Sequence, residues 1–539
     1  MRCRRLLLLS LFSLLLWTAC SGGTSEDPAG ASAAASDHGS DHGAHGEISW
    51  YDGSVDEAFA FAKSENRPLF LYWGAVWCPP CHYLKTKIFP REEFVEASRE
   101  LVMVYLDGDT ERAQVYGERF GVRGYPTVIL FDAGGQEMTR LPSTMPVDQY
   151  SAVLDKAMAR LRPITEIYAD VRSEGAASAD PTDLHLLAFY SWGQDQALDL
   201  EPAEKLAAFG ELYRGTPADL GAERTRFLSL YLMDLVSAED APDIAEDERA
   251  ALYRDLLALL ADPAQVRNNL DLVHYANRDV VQFFHPQPSA ERDALIETWN
   301  RAARTVGVDE TLSTDDRLTA LLPQIWLAPL RTGAGEALPA ELLDHVRERI
   351  AWASSAVSGE GEMQAVMSTM AGVLQEASLD DEAETLLTER MGEALAPYYY
   401  MGWLASIKKS AGKTDEAIDL YRQAHANADG AYTRFRYGSS YLKQLMELRP
   451  EDAATVAAES ERILDELLQH DDAFAGGNHS RLESLAEAYL EWNEDGSHDA
   501  VLDAVRAKIH GACDRYPEDG DQRARCASFL SAEDSADRA

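Results

Sequence analysis

Three runs rich in β-branched and aromatic residues, LFLYWGA (69–75), LVMVYLDG (101–108) and TVILFDA (127–133), lie close together early in a 539-residue chain, and such signals almost vanish beyond Pro163. That asymmetry restricts the fold strongly: a sheet can form only in the first third, and the remainder of the chain must be built from helices. The runs are short and continuously apolar, as strands buried on both faces are. Helical patterns separate and flank them. VDEAFAFAKSEN (55–66) repeats apolar residues at Val55, Ala58, Phe59 and Ala62, one face of a helix. TERAQVYGERFG (110–121) lies between the second and third runs, and VDQYSAVLDKAMARL (147–161) closes the series. Strand, helix, strand, helix, strand and a closing helix predict an α/β domain over 48–162.

Beyond Pro163 long amphipathic patterns take over, as in EKLAAFGELYRG (204–215), RAALYRDLLALLAD (249–262) and ILDELLQ (463–469). A helical domain is expected over 163–360, without an internal repeat. Comparing the rest with itself gives a register: DEAETLL (381–387) and DEAIDLY (415–421) match at a shift of 34. The small residues Ala371, Ala405 and Gly438 recur at spacings of 34 and 33, Leu404, Ala417, Tyr421 and Ala424 fit the second unit, and YGSSY (437–441) fits a third. SRLESLAEAYLEW (480–492) reads as the opening helix of another. This pattern resembles the tetratricopeptide repeat, which stacks helical hairpins around a concave binding surface. A tetratricopeptide-repeat-like domain is expected over 361–530, with a tail at 531–539.

The formal charge of -42, from 91 acidic against 49 basic residues, is spread along the chain and argues against nucleic acid or an anionic lipid surface as a charge-driven partner. The basic residues Arg2, Arg4 and Arg5 precede the apolar LLLLSLFSLLLW, which is the layout of a secretory signal over 1–20. The signal ends in WTAC and resembles the lipobox of bacterial lipoproteins, which implies acylation at Cys20, a membrane lipid anchor and the periplasmic side of the envelope. Ser21, not Asp, comes next, which in enterobacteria-like sorting implies the outer membrane. Trp17 stands where such lipoboxes usually carry Leu, so simple cleavage is the alternative. Residues 21–47, rich in Gly, Ala, Ser and Asp, read as a flexible tether. Within it His38, His42 and His45 read as a copper, zinc or nickel tract or as solvated linker.

With Cys3 in the signal and Cys20 at its end, four of the six cysteines remain: Cys78, Cys81, Cys513 and Cys526. In an exported chain Cys513 and Cys526 are expected to form a structural disulfide, with two packed free thiols as the alternative. Cys78 and Cys81 sit in YWGAVWCPPCHYLK (72–85), which contains a C-x-x-C pair and also C-x-x-C-H, the attachment signature of c-type haem with His82 as ligand. The neighbours favour the dithiol. ISW (48–50), Ala58 and Ala62, RPLFLYWGAVWCPPC, VYLDGD, GVRGYPTVILF and DAGGQE occur in an order that resembles the thioredoxin-like family, and within it the C-terminal periplasmic domain of DsbD-type thiol:disulfide interchange proteins.

The resemblance implies that Cys78, at the start of a helix and the more exposed of the pair, is the nucleophile, and that Cys81, one turn deeper, resolves the mixed disulfide. It makes Pro126 the cis-proline facing the dithiol and gives Trp77 and Tyr125 contact with substrate; a packed aromatic is the alternative for Tyr125. Pro79 suits the first helical position. Where thioredoxins carry a buried Asp this chain has Tyr72, so Asp107 or His82 is a candidate proton carrier through water, although His82 reads as an exposed helix residue. The expectation is an exported, membrane-anchored thiol:disulfide oxidoreductase, reductase or isomerase, with the Cys78–Cys81 dithiol as its redox group and no other cofactor or metal. Its partners would be protein thiols and disulfides and an upstream thiol reductant protein, docked by the helical region. A non-catalytic adaptor lipoprotein and a copper or other metal handler are the alternatives.

Overall fold

The sheet is laid down by continuously buried strands. In the computed structural model, which describes residues 48–110, 112–142, 145–239, 242–333 and 335–531, β1 (Leu69–Gly74) and β3 (Thr127–Phe131) are buried at every residue. With β2 (Val102–Asp107) and β4 (Glu137–Leu141) they form one mixed sheet in the order β2-β1-β3-β4. β1 runs parallel to β2, pairing Leu71 with Val104, and antiparallel to β3, which pairs antiparallel with β4. The helix α1 (Val55–Glu65) starts at a capping box in which Ser54 and Glu57 satisfy each other's backbone amides, and it ends at Asn66 in the left-handed conformation. The remaining helices of this part are α2 (Pro79–Tyr83), α3 (Glu92–Ser98), α4 (Ala113–Arg119) and α5 (Val147–Arg160).

The sequence pattern predicts three strands; the structure has four. EMTRL carries Glu137, Thr139 and Arg140 and lacks the composition of a buried strand, yet Arg140 is 1% exposed. Its guanidinium forms an ion pair with Glu137 (2.8 Å) and donates to the carbonyls of Phe120 (2.6 Å), Gly121 (3.0 Å) and Gln194 (2.8 Å). The buried charge is compensated by Glu137 three residues away and by carbonyls far away in sequence.

After Pro163 every regular element is a helix among the described residues. Apolar packing continues across residues 162 and 360. One cluster joins Tyr150, Val153 and Leu154 of α5 to Ile164, Ile167, Leu184 and Leu187, and a second joins Val346 and Ile350 to Met363, Met370 and Leu404. The apolar faces on either side of each boundary bury one another, so the helices are extensions of a neighbouring core. Helical hairpins come in series: Glu360–Glu376 with Asp380–Arg390, Pro397–Ser410 with Thr414–Asn427, Ala431–Leu448 with Ala453–Leu467, and Gly476–Trp492 with Asp499–His510. Ala371 and Ala405 are fully buried. A Cβ added at Gly438 would lie 2.8 Å from Ile463 and 3.1 Å from His425, so only glycine lets these helices approach. No described helix is long and apolar enough to cross a membrane. Cys20, His38, His42, His45 and residues 532–539 lie outside the described residues.

Candidate functional site

β1 delivers the chain through Ala75, Val76 and Trp77 to Cys78, which is the N-cap of α2. Pro79 and Pro80 occupy the first helical positions, where an amide donor has no intrahelical acceptor. The N–H of Cys81 points at the Cys78 sulfur (3.2 Å), and the two cysteines form a disulfide with a Cα–Cα distance of 5.2 Å. Directly after Tyr83, Leu84–Ile88 form one π-helical turn. Tyr72 reaches the carbonyl of Cys81 with its hydroxyl (3.5 Å).

The Tyr125–Pro126 peptide is cis. The Tyr125 ring packs against Trp77 (4.9 Å between centroids) and Trp73 (5.6 Å), and burial pushes its phenol well above the usual range. Trp77, which precedes Cys78, and Tyr125, which precedes Pro126, are thereby in contact. The carbonyl of Pro126 accepts from the Gln194 side-chain amide (2.8 Å), a partner from beyond the sheet that the sequence did not disclose.

Both cysteines are enclosed: Cys78 is 1% exposed and Cys81 is fully buried. Helices of the second half pack against Trp77 and against α2 beside them. From the Glu360–Glu376 helix, the Gln364 amide donates to the carbonyl of Trp77 (2.7 Å) and accepts from the N–H of Ala396 (3.1 Å). Tyr399 stacks on the Trp77 ring (5.9 Å, 15°), and the Arg436 guanidinium lies 4.2 Å above it. Asp109 ties the two sides together: one carboxylate oxygen accepts from the Trp77 indole (2.9 Å) and the other from the N–H of Thr433 (2.9 Å). Burial first, then the neighbouring Asp107, push the Asp109 carboxyl up to about 7 against the opposing pull of these donors. Asp109, Gln364, Tyr399, Thr433 and Arg436 are site residues that sequence reasoning missed; the aromatic run PYYYMGW (397–403) was the one signal that could have pointed to them.

The expectation that His82 is exposed is corrected. It is 4% exposed, and its Nε2 lies 2.6 Å from the Val76 carbonyl, a position that leaves the ring unsuited to an axial iron ligand. The cysteines and this histidine do not fit haem. Asp107 accepts from the Tyr105 hydroxyl (3.2 Å) and the Asp109 amide (2.9 Å). Among the described residues no cluster of three or more His, Cys, Asp or Glu could hold a metal ion. At the far end of the chain Cys513 and Cys526 form a second disulfide, with a Cα–Cα distance of 5.6 Å.

Residues 55–158 match the family model described as a thioredoxin-like domain. The chain therefore carries a thioredoxin-like domain, succeeded by a large all-helical region. A solved structure described as "DsbH Oxidoreductase" is 21% identical, over 23% of this chain and 92% of its own, with a TM-score of 0.20, too low to support an argument. No curated protein matches the chain.

Proposed function

We propose that this protein is a thiol:disulfide oxidoreductase of the cell envelope, acting on the cysteines of other proteins through Cys78 and Cys81. The observation that carries the reading is the placement of Cys78 as N-cap of α2 with the Cys81 N–H on its sulfur, in a thioredoxin-like domain. An amide and the positive end of a helix favour thiolate over thiol at that atom. In the reduced chain the Cys78 thiolate attacks a client disulfide: a bond forms from Cys78 to one client sulfur, the client S–S bond breaks, and the other client sulfur leaves as thiolate. The Cys81 thiolate then attacks the Cys78 sulfur, closing the disulfide and releasing the second client thiolate. Two electrons pass to the client. An upstream thiol reductant protein must return them; as an isomerase, a client thiol would release Cys78 instead and no electrons would be transferred net. The envelope location rests on the lipobox-like end at Cys20 and an acyl anchor there.

Cys81→Ser should accumulate mixed disulfides at Cys78, and Cys78→Ser should abolish them. Absence of any adduct, even when Gln364→Ala is added to loosen the cover, would overturn the reading. One observation favours a second reading: the burial of Cys78 suits an adaptor whose CPPC disulfide is only a brace. The same experiment separates the two.

A further inference from the structure

We propose that the helical half is a cap on the dithiol, and that exchange with a protein client requires this cap to lift. The inference rests on the proposed exchange chemistry and adds its regulation: the inner face of the helical half binds the chain's own thioredoxin-like domain and competes with clients for it.

Around Trp77 the seam has three lines of contact, drawn from the helices Glu360–Glu376, Pro397–Ser410 and Ala431–Leu448. Gln364 is fully buried with its side chain shared between Trp77 and Ala396, while its own carbonyl accepts from the Tyr400 hydroxyl (2.7 Å). Beside it Lys87 of the π turn meets Glu362 at 2.5 Å. The second line is aromatic: Tyr399 and the Arg436 guanidinium cover Trp77, the residue next to the nucleophile. The third runs along Asp109, where the N–H groups of Ala431 (3.4 Å) and Thr433 (2.9 Å) meet its carbonyl and carboxylate, while Tyr432 stacks on Tyr125 (6.3 Å). Gly430 enters this line at φ 81, and a Cβ there would collide with Asp109, so the close approach needs glycine.

These contacts cover Trp77, the residue before Cys78, and Tyr125, the residue before Pro126, and with them in place Cys78 is 1% exposed. A client sulfur must approach within bonding distance of the Cys78 sulfur, which no protein segment can do while that atom is enclosed. The chemistry of the seam also suits reversal. It is made largely of hydrogen bonds and ring contacts whose groups, Gln364, Asp109, Arg436, Lys87 and Glu362, are well solvated once parted. The junction across Pro163, where Tyr150, Val153 and Leu154 pack on Ile164, Ile167, Leu184 and Leu187, adds apolar burial that would hold while the cap moves.

The test uses the full chain, reduced and freed of reductant, with a polymer-bearing maleimide as the bulky probe and mass spectrometry to read labelling at Cys78. Gln364→Ala and Tyr399→Ala should each label Cys78 at least about tenfold faster than the parent. Lys87→Glu should do the same in direction, and adding Glu362→Lys should restore slow labelling, a rescue that general unfolding would not show. Equal labelling of parent and variants would overturn the cap. If labelling behaves as stated but opened variants form no mixed disulfide, exchange fails and the cap stands. If mixed disulfides form equally fast with and without the seam contacts, the cap fails and exchange stands.

Discussion

Among the described residues two buried disulfides have surroundings opposite in sign. At Cys78 the sulfur receives a backbone N–H at the start of a helix, whereas Cys513 and Cys526 both lie against the carbonyl oxygen of Ile509 (3.7 and 3.3 Å), in the last turn of Asp499–His510. An amide dipole pointing its hydrogen at sulfur lowers the free energy of a thiolate; a carbonyl oxygen and the negative end of a helix raise it. Burial alone does not distinguish the pair proposed to exchange from the pair proposed to brace, since Cys81 and Cys526 are both fully buried. What separates them is which backbone group faces the sulfur.

The largest expected effect tests that contrast directly. In graded thiol buffer, Cys78–Cys81 should be fully reduced while Cys513–Cys526 remains oxidised, because stabilising the leaving thiolate favours opening of the first pair. Differential alkylation with peptide mapping reads both pairs in one sample. Co-reduction of the two at the same buffer poise would break the comparison.

Stability should sort them the other way. Cys513 and Cys526 close a loop of about 14 residues, a constraint of about 3 kcal/mol on the chain-entropy model. Cys513→Ala with Cys526→Ala should therefore lower the protection of Asp499–His510 and Asp521–Ser528 in hydrogen exchange by about that amount, and leave mixed-disulfide formation at Cys78 unchanged. A loss of Cys78 chemistry in this variant would mean that the two sites are coupled.

The thioredoxin-like part was legible because its signals are local. The strands β1 and β3 announce themselves as continuous apolar runs, and CPPC, GYPT and their flanks stand in one short stretch of chain. β4 was not legible, because Arg140 enters the core on hydrogen bonds to Phe120, Gly121 and Gln194 that no periodicity encodes. The covered state of Cys78 was illegible for the same reason at longer range. Gln364, Tyr399 and Thr433 reach Trp77 and Asp109 across hundreds of residues, and each is a single side chain or amide with no repeating pattern. The repeat-like pattern predicted a concave surface for a partner; it could not say that the chain's own sheet domain lies against these helices.

The smallest expected effect is a pH dependence of the seam itself, and it sharpens the contrast between a group poised by its surroundings and one merely enclosed. Asp109 is faced by Asp107 on its own loop and by Trp77 and Tyr125 nearby, while Tyr398, Thr433 and Tyr437 approach from the helical half. With its carboxyl raised to about 7 in the closed chain, against an ordinary value of 3.8 when solvated, the closed form holds a proton that the open form gives up. Closure is then strongest below the solvated value and weakens as pH rises through about 7. Between about pH 6 and about pH 8 the loss amounts to about 1.4 kcal/mol, a tenfold weaker seam. Hydrogen exchange at Ala431 to Thr433, corrected for the intrinsic rates of an unstructured chain, should show this loss, and Asp109→Asn should remove it. Protection that stays constant over that range in the parent would show that the seam closes with the carboxylate already ionised, held by the Trp77 and Thr433 donors alone, and a slope that survives in Asp109→Asn would show that another group carries it.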